Sequence, residues 1–388
     1  MPQALEGSQA LAQAIALCRP QVVSAYPITP QTHIVENLSK LVADGKLKCE
    51  FVSVESEFSA ASVALGAALA GSRAYTASAS QGILLMAEVL YNIAGARVPM
   101  VLTCANRAVS APLSIWNDQQ DSMAVRDAGW IQLYCADNQE AVDTTIQAYR
   151  IAERTEVPVM VCVDGFTLTH TLEPLEIPSQ EQVDGFLPPY QFSRALDPRN
   201  PISIGTLVSP DFFSEARYSH HRAIEKAAAE ILAADEDWSK VVGRGYGGLL
   251  QCEGPEDAEI GVLTLGSIFG TLAEARTQSD AKVKLIRLRS FRPFPVEALQ
   301  QTCAGLKKLV ILERAISPGG GGIVSAEVRA ALSEMTAPPA SYSYAVGLGG
   351  RDVPMSTLDK VLVRVEQQPS ERFAILDLEV ERLPEEDR

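Results

Sequence analysis

Histidine is scarce and cysteine is scattered in this chain of 388 residues: four of the first, seven of the second, and no Cys-x-x-Cys anywhere. Structural zinc and iron–sulfur centres need such ligands at regular spacing, so neither is expected in this chain. The irregular placement of Cys18, Cys49, Cys104, Cys135, Cys162, Cys252 and Cys303 also argues against a disulfide framework and for a reducing compartment, the cytoplasm. Each cysteine is expected to be a small buried hydrophobe. Basic residues are in deficit, 33 against 48 acidic, and the net charge is −15. With no Lys/Arg cluster to track phosphates, nucleic acid is not an expected partner. Uninterrupted apolar runs stop short of the ~18–20 residues of a membrane span. The N-terminal stretch carries an acidic residue where a signal peptide would be basic, so no membrane association is expected. Walker A, HExxH and GxSxG patterns are missing. No GxGxxG follows a strand-like run either, which disfavours a lone dinucleotide-binding oxidoreductase.

What is present is an alternation of short apolar runs and helical patterns. Strand-like "QVVSAYPIT", "CEFVSVES", "RAYTASAS", "VPMVLTCAN", "WIQLYCAD" and "VPVMVCVDGF" are separated by helix-like segments such as "QTHIVENLSKLVADG" and "EFSAASVALGAALAG". The runs are apolar throughout rather than alternating, as a sheet covered on both faces requires. The expected fold is therefore α/β, a doubly wound, mostly parallel sheet over residues 1–180. From about Leu172 proline and polar residues predict an extended connector, followed by a helix from Ser214, together residues 181–255. A second, smaller α/β unit is expected over 256–388, with a frayed tail.

In open α/β sheets ligands gather at the carboxyl ends of strands. Thr29 ends the first strand-like run, Glu55 and Glu57 the second, Ser78, Ser80 and Gln81 the third, and Asn106 and Arg107 the fourth. Pro27 and Pro30 bias the backbone on both sides of Thr29, which either aims its hydroxyl or makes a rigid turn with an incidental threonine. Glu57 opens a helix nearly free of charge. Its carboxylate either stabilises the helix N-terminus or meets a ligand nitrogen. Gly82 allows close backbone approach beside Gln81. Arg107 either clamps a carboxylate or forms a surface ion pair.

Other glycine-rich turns carry less. Gly319–Gly322 and "GSIFGT" read as flexible linkage, since no Lys-Ser/Thr follows to make a phosphate loop. "GLGGRD" (347–352) reads as an interface, and His170, His220 and His221 lack ligand spacing.

The segments "YPITP" (26–30), "VESE" (54–57), "TASASQGILLMAEVLYNIAGARVP" (76–99), "NRAVSAPLSIWNDQQDSMAVRDAGW" (106–130), "TLTHTLEP" (167–174), "FRPFPVE" (291–297) and "GLGGRDVP" (347–354) occur in that order. Together they resemble the α subunits of the 2-oxoacid:ferredoxin oxidoreductases, most closely pyruvate:ferredoxin oxidoreductase (pyruvate synthase). The resemblance implies a pyrimidine-type thiamine-diphosphate domain over 1–180 and a transketolase C-terminal-like domain over 256–388. It also implies an activity, the reversible CoA-dependent oxidative decarboxylation of pyruvate to acetyl-CoA and CO2 with electrons passed to ferredoxin. Glu57 would bond the aminopyrimidine of thiamine diphosphate, with Ser80 and Gln81 beside the cofactor. Thr29 and Arg107 would hold the oxoacid. The Gly-Asp-Gly segment that would help hold Mg2+ is absent: valine precedes both Asp164-Gly165 and Asp184-Gly185. The diphosphate, its Mg2+ and the [4Fe-4S] clusters are therefore expected on partner β, γ and δ subunits. A subunit for another oxoacid (2-oxoisovalerate or 2-oxoglutarate), or a non-catalytic scaffold subunit, remains the alternative.

Overall fold

A computed structural model describes residues 2–388. The first half runs β1 (Gln3–Glu6), α1 (Gly7–Leu17), β2 (Val22–Ala25), α2 (Thr32–Ala43), β3 (Glu50–Ser53), α3 (Glu57–Leu69), β4 (Ala74–Ser78), α4 (Ser80–Leu85) and α5 (Ala87–Gly95). It continues with β5 (Val101–Asn106), α6 (Gln120–Ala124), β6 (Ile131–Tyr134), α7 (Asn138–Thr155), β7 (Val159–Asp164), β8 (Leu172–Leu175), α8 (Gln180–Phe186) and the 33-residue α9 (Pro210–Val242). Every residue of β4, β5, β6 and β7 is buried, which is why their sequences are apolar without alternation. Helix α3 is built from small residues, with Ala60, Ala61, Ala64 and Ala68 buried, so its axis can lie close to β2 and β4.

The second half comprises β9 (Leu250–Glu253), β10 (Ile260–Thr264), α10 (Ile268–Thr277), β11 (Val283–Leu288), β12 (Ser290–Arg292), α11 (Val296–Cys303), β13 (Lys308–Glu313), α12 (Ile323–Leu332), β14 (Ala340–Ala345), α13 (Thr357–Gln367) and β15 (Glu371–Ile375). Two large sheets result. The first has seven strands in the order β12-β6-β7-β5-β4-β2-β3, the second six in the order β15-β14-β13-β10-β11-β9. Both are parallel except for one antiparallel edge strand each, β12 and β9. The α/β fold with mostly parallel sheets is as expected.

Several local features differ from the sequence expectations. The stretch expected to be an extended connector carries β8, which pairs antiparallel with β1, and the short helix α8. Ser179 and Gln182 form a capping box at the start of α8, satisfying two backbone donors reciprocally. Strand β12 belongs by sequence to the second half yet completes the first sheet against β6. Cys252 is exposed and Cys49 half-buried, the two exceptions to the expected burial of every cysteine. No helix among the described residues is long and apolar enough to cross a membrane.

The halves are locked by charge as well as by apolar packing. Glu140 on α7 pairs with both Arg287 and Arg289, and all three side chains are buried. Arg289 also donates to Gln147 Oε1 and Thr144 Oγ1, each at 2.9 Å. Buried ions need this degree of satisfaction, because each costs several kcal/mol to remove from water.

Candidate active site

In the first sheet β2 pairs with β3 on one side and β4 on the other, so the strand order reverses between β2 and β4. Such a switch point leaves a crevice outside the strand ends. The segments that leave the ends of β2, β3, β4 and β5 carry Thr29 in a loop, Glu57 at the start of α3, Ser80 and Gln81 at the start of α4, and Arg107 in a loop.

Glu57 is the first residue of α3. Ser56 caps the helix by accepting from Ser59 N at 3.2 Å, and Glu55 accepts from the Ser59 hydroxyl outside. That division of labour leaves Glu57 free of capping duty. It is only 7% exposed, and among the described residues its carboxylate accepts no hydrogen bond. Gly82 faces it: a Cβ there would lie 2.7 Å from Glu57 Oε1 and 2.3 Å from Ser78 Oγ. The Ser78 hydroxyl is buried and likewise unpartnered. A carboxylate and a hydroxyl thus converge on the one backbone position that has no side chain.

Ser80 sits beside them with φ +51, and Asp121 Oδ2 accepts from its backbone N at 2.8 Å. Its hydroxyl donates towards Ala108 O at 2.5 Å and also contacts Gln81 Oε1, so that hydroxyl braces the next loop. Asp121, on the short α6, is the hub that sequence reasoning missed. It also accepts from Arg107 N at 3.0 Å, Asn106 Nδ2 at 2.8 Å and Ser122 N at 2.8 Å. Burial pushes its carboxyl above the usual range, opposed by those hydrogen bonds. A five-residue helix has no periodicity, and nothing local marks Asp121 among the other acids and amides of "NDQQDS".

Arg107 donates through Nη1 to Thr29 O at 2.9 Å and through Nε to Ser114 O at 3.0 Å. Burial lowers its guanidinium from the ordinary value, opposed by Asp121, and the group stays cationic. Thr29 itself is exposed, and Gln31 anchors its loop by donating to Ala77 O at 2.8 Å. The five expected residues therefore form one connected group: Gly82 abuts Glu57, Asp121 joins Ser80 to Arg107, and Arg107 holds the Thr29 backbone.

The remaining motifs have structural duties. Asp164, at the end of β7, accepts from Gln119 Nε2 at 2.9 Å, Ser267 N at 2.9 Å and Arg314 Nη1 at 3.0 Å, tying the two sheets together under the site. Gly266 of "GSIFGT" lies against that joint. At Gly322 the N-terminus of α12 is filled by this chain's own Glu313, which accepts from Val324 N and Ser325 N. The "GLGGRD" turn packs on the loop after Arg107, with Gly350 against Trp116 and Gly349 N donating to Asp118 at 3.2 Å. Glu6, His33 and His170, unremarkable in sequence, come together with ligand atoms within 4.8 Å of one another. Each histidine Nδ1 already has a partner, Glu6 Oε1 at 2.7 Å and Thr169 Oγ1 at 2.8 Å.

A doubly wound sheet whose switch point gathers Thr29, Glu57, Ser80, Gln81 and Arg107 places these side chains where ligands of open α/β sheets bind. The sequence comparisons agree in kind. The family described as pyruvate flavodoxin/ferredoxin oxidoreductase, thiamine-diphosphate-binding, matches residues 13–235, and pyruvate:ferredoxin oxidoreductase core domain II matches residues 258–358. The chain belongs to the pyruvate flavodoxin/ferredoxin oxidoreductase family. It is 47% identical over 365 residues to pyruvate synthase subunit PorA of Methanosarcina barkeri, covering 92% of this chain and 91% of that one. It is 44% identical to PorA of Pyrococcus furiosus, covering 92% of each, and 39% identical to ketoisovalerate oxidoreductase subunit VorA of Pyrococcus abyssi, covering 92% and 91%. Among solved structures, 2-oxoglutarate:ferredoxin oxidoreductase from Magnetococcus marinus, solved with 2-oxoglutarate, coenzyme A and succinyl-CoA, shares the fold at TM-score 0.70 and 20% identity. The match covers 95% of this chain but 65% of that one, so this chain spans about two thirds of its length.

Proposed function

We propose that this chain is the α subunit of a multi-subunit 2-oxoacid:ferredoxin oxidoreductase acting on pyruvate, with coenzyme A as acyl acceptor and ferredoxin as electron acceptor. The observation that carries the reading is Glu57, a buried carboxylate at a strand-order reversal with no hydrogen-bond partner among the described residues. A carboxyl group this little exposed, with no partner in the chain, gains from a ligand that supplies one. The aminopyrimidine of thiamine diphosphate has a basic ring nitrogen that can share a proton with such a carboxyl group, and bare Gly82 leaves the approach open, so these residues fit the group. When bound, thiamine diphosphate supplies the nucleophilic carbon and the electron sink for decarboxylation.

This chain's own residues do the rest of the positioning. Glu57 would share a proton with the ring nitrogen of the pyrimidine opposite its amino group, with Gln81 and the braced Ser80 alongside. Arg107 offers its remaining guanidinium N–H groups to the oxoacid carboxylate, where a planar fork suits bidentate binding. Thr29, whose backbone Arg107 grips, presents its hydroxyl to the same anion. Residues 1–180 form the pyrimidine-side domain, 181–255 the connector, and 256–388 the transketolase C-terminal-like domain. Mg2+ with the diphosphate, and the [4Fe-4S] clusters, belong to the β, γ and δ partners.

Pyruvate is favoured over branched oxoacids by identity: 42–47% to PorA subunits against 39% to VorA subunits. The test is a panel of 2-oxoacids offered to the assembled enzyme with coenzyme A and a viologen acceptor. Pyruvate is expected to give the highest kcat/KM. A higher value for 2-oxoisovalerate or 2-oxoglutarate, or no oxoacid-dependent dye reduction, overturns the assignment.

A further inference from the structure

Four aromatic rings form an unbroken row of tilted contacts, hereafter the stack, beside the site, and nothing in the proposed chemistry uses them. Trp116 lies on Phe166 at 4.6 Å between centroids, Phe166 on His170 at 4.6 Å, and His170 on His33 at 4.5 Å. One end of the stack, Trp116, belongs to the loop that carries Arg107, and the other, His33, to the helix that directly follows the Thr29 loop. Trp116 O accepts from Ala108 N at 3.0 Å, next to Arg107, and Arg107 Nε reaches Ser114 O in the same loop. His33 stands in the first turn of α2, directly after Thr29-Pro30-Gln31, and is held from behind by Glu6 at 2.7 Å.

The middle of the stack is a single turn, Asp164–His170, wedged between those loops. At Gly165 a Cβ would lie 2.4 Å from Asn106 O and 2.6 Å from Pro30 Cγ, so the turn touches both loops at its backbone. Phe166 N donates to Thr169 Oγ1 at 2.9 Å, and that hydroxyl meets His170 Nδ1 at 2.8 Å, which fixes the two rings relative to each other. The base of the turn cannot drift, because Asp164 is bonded to Arg314 and Ser267 of the second half.

We propose that His170 is a positioning residue: its ring, together with the direct Arg107 Nη1 to Thr29 O bond, sets the separation between the Thr29 and Arg107 loops, and hence the geometry in which the oxoacid carboxylate is received. The inference rests on the reading of Thr29 and Arg107 given above. Misplacing a binding group by about 1 Å can cost on the order of 100-fold in rate. Shortening His170 opens a gap in the middle of the stack, so the effect falls on substrate geometry and not on the thiamine site at Glu57.

The experiment uses the enzyme assembled with its partner subunits and compares H170A, H170F, W116A, the H170A/W116A pair and R107A. H170A is expected to lower kcat/KM for the oxoacid roughly 10- to 100-fold, mainly through KM. Thiamine diphosphate affinity and thermal melting should stay at their wild-type values. H170F, which refills the stack, is expected to recover to within about 3-fold, and the pair to be no worse than the poorer single variant, since both break one stack. A purely structural histidine would lower melting and cofactor affinity together and would not be rescued by phenylalanine. Should H170A not assemble, W116A, half exposed at the end of the stack, carries the same test. An unchanged KM in H170A, or H170F as impaired as H170A, overturns the proposal. R107A separates the two levels. If R107A keeps its KM, the carboxylate reading of Arg107 has failed. If R107A is impaired and H170A is not, only the stack has failed.

Discussion

Replacing Glu57 by glutamine isolates the charge at the heart of the proposed site, because the amide keeps the volume that sits against Gly82. Two contributions change. As the first residue of α3, an ionised Glu57 interacts favourably with the helix N-terminus, worth about 0.3–1 kcal/mol. Against that, a neutral amide is cheaper to bury than an unpartnered ion. The two offset each other, so folding stability should move by no more than about 1 kcal/mol and the melting temperature by a few degrees at most. Catalysis should respond far more. A hydrogen bond to a charged group contributes about 1.5–3 kcal/mol. Lost from the transition state, that becomes roughly a 10- to 150-fold fall in rate. The assay is oxoacid-dependent viologen reduction by the assembled enzyme, with thermal melting and cofactor titration on the same preparation. E57Q enzyme that assembles and turns over at the wild-type rate would refute the reasoning. So would a variant whose melting collapses in step with its activity, since Glu57 would then be only a helix start.

Two further perturbations probe the frame around the site. Asp164→Ala removes the acceptor shared by Gln119, Ser267 and Arg314 and leaves a nearly buried arginine unpaired. Breaking a buried pair from one side costs about 3–5 kcal/mol, to be read from denaturant unfolding of the purified protein. A loss below about 1 kcal/mol would mean that the joint is held by apolar packing alone. Asp118 offers a test in pH: burial raises its carboxyl to about 6, opposed by hydrogen bonds from Gln120 N and Gly349 N. A raised folded-state value favours the protonated form, so its stabilisation is present at low pH and is lost as pH rises through about 6. Asp118→Asn should therefore gain about 1–2 kcal/mol at pH 7–8, after allowing for one weakened hydrogen bond, with the gain fading towards pH 4. An equal effect at both ends of that range would contradict the assignment.

Much of this molecule was legible because its signals are local. The start of α3 at Glu57 follows from a run of small residues nearly free of charge, and the fully apolar strands announce a sheet covered on both faces. Proline-rich surroundings hid α8, although its Ser179–Gln182 capping box stands in the sequence. Helix α9 begins at Pro210, four residues before the expected Ser214, because proline suits a first helical turn and only looks like a breaker. Strand β12, three residues long, is too short to carry any period. At the site, Thr29, Glu57 and Arg107 could be found as polar residues closing apolar runs. Asp121, Asp164 and the Trp116–His33 stack could not. Their meaning lies in contacts across many residues of chain, which no local pattern records.

The pairing of β12 with β6 also orders events during synthesis. β6 is made some 160 residues before its outer neighbour, so the growing chain carries β6 as an open edge strand until Arg292 has emerged and the short β12 takes the edge position. An unpaired edge is a template for foreign strands. Nascent or truncated forms ending before Ser290 would meet chaperones, or one another, along β6 as well as along β3 at the opposite edge.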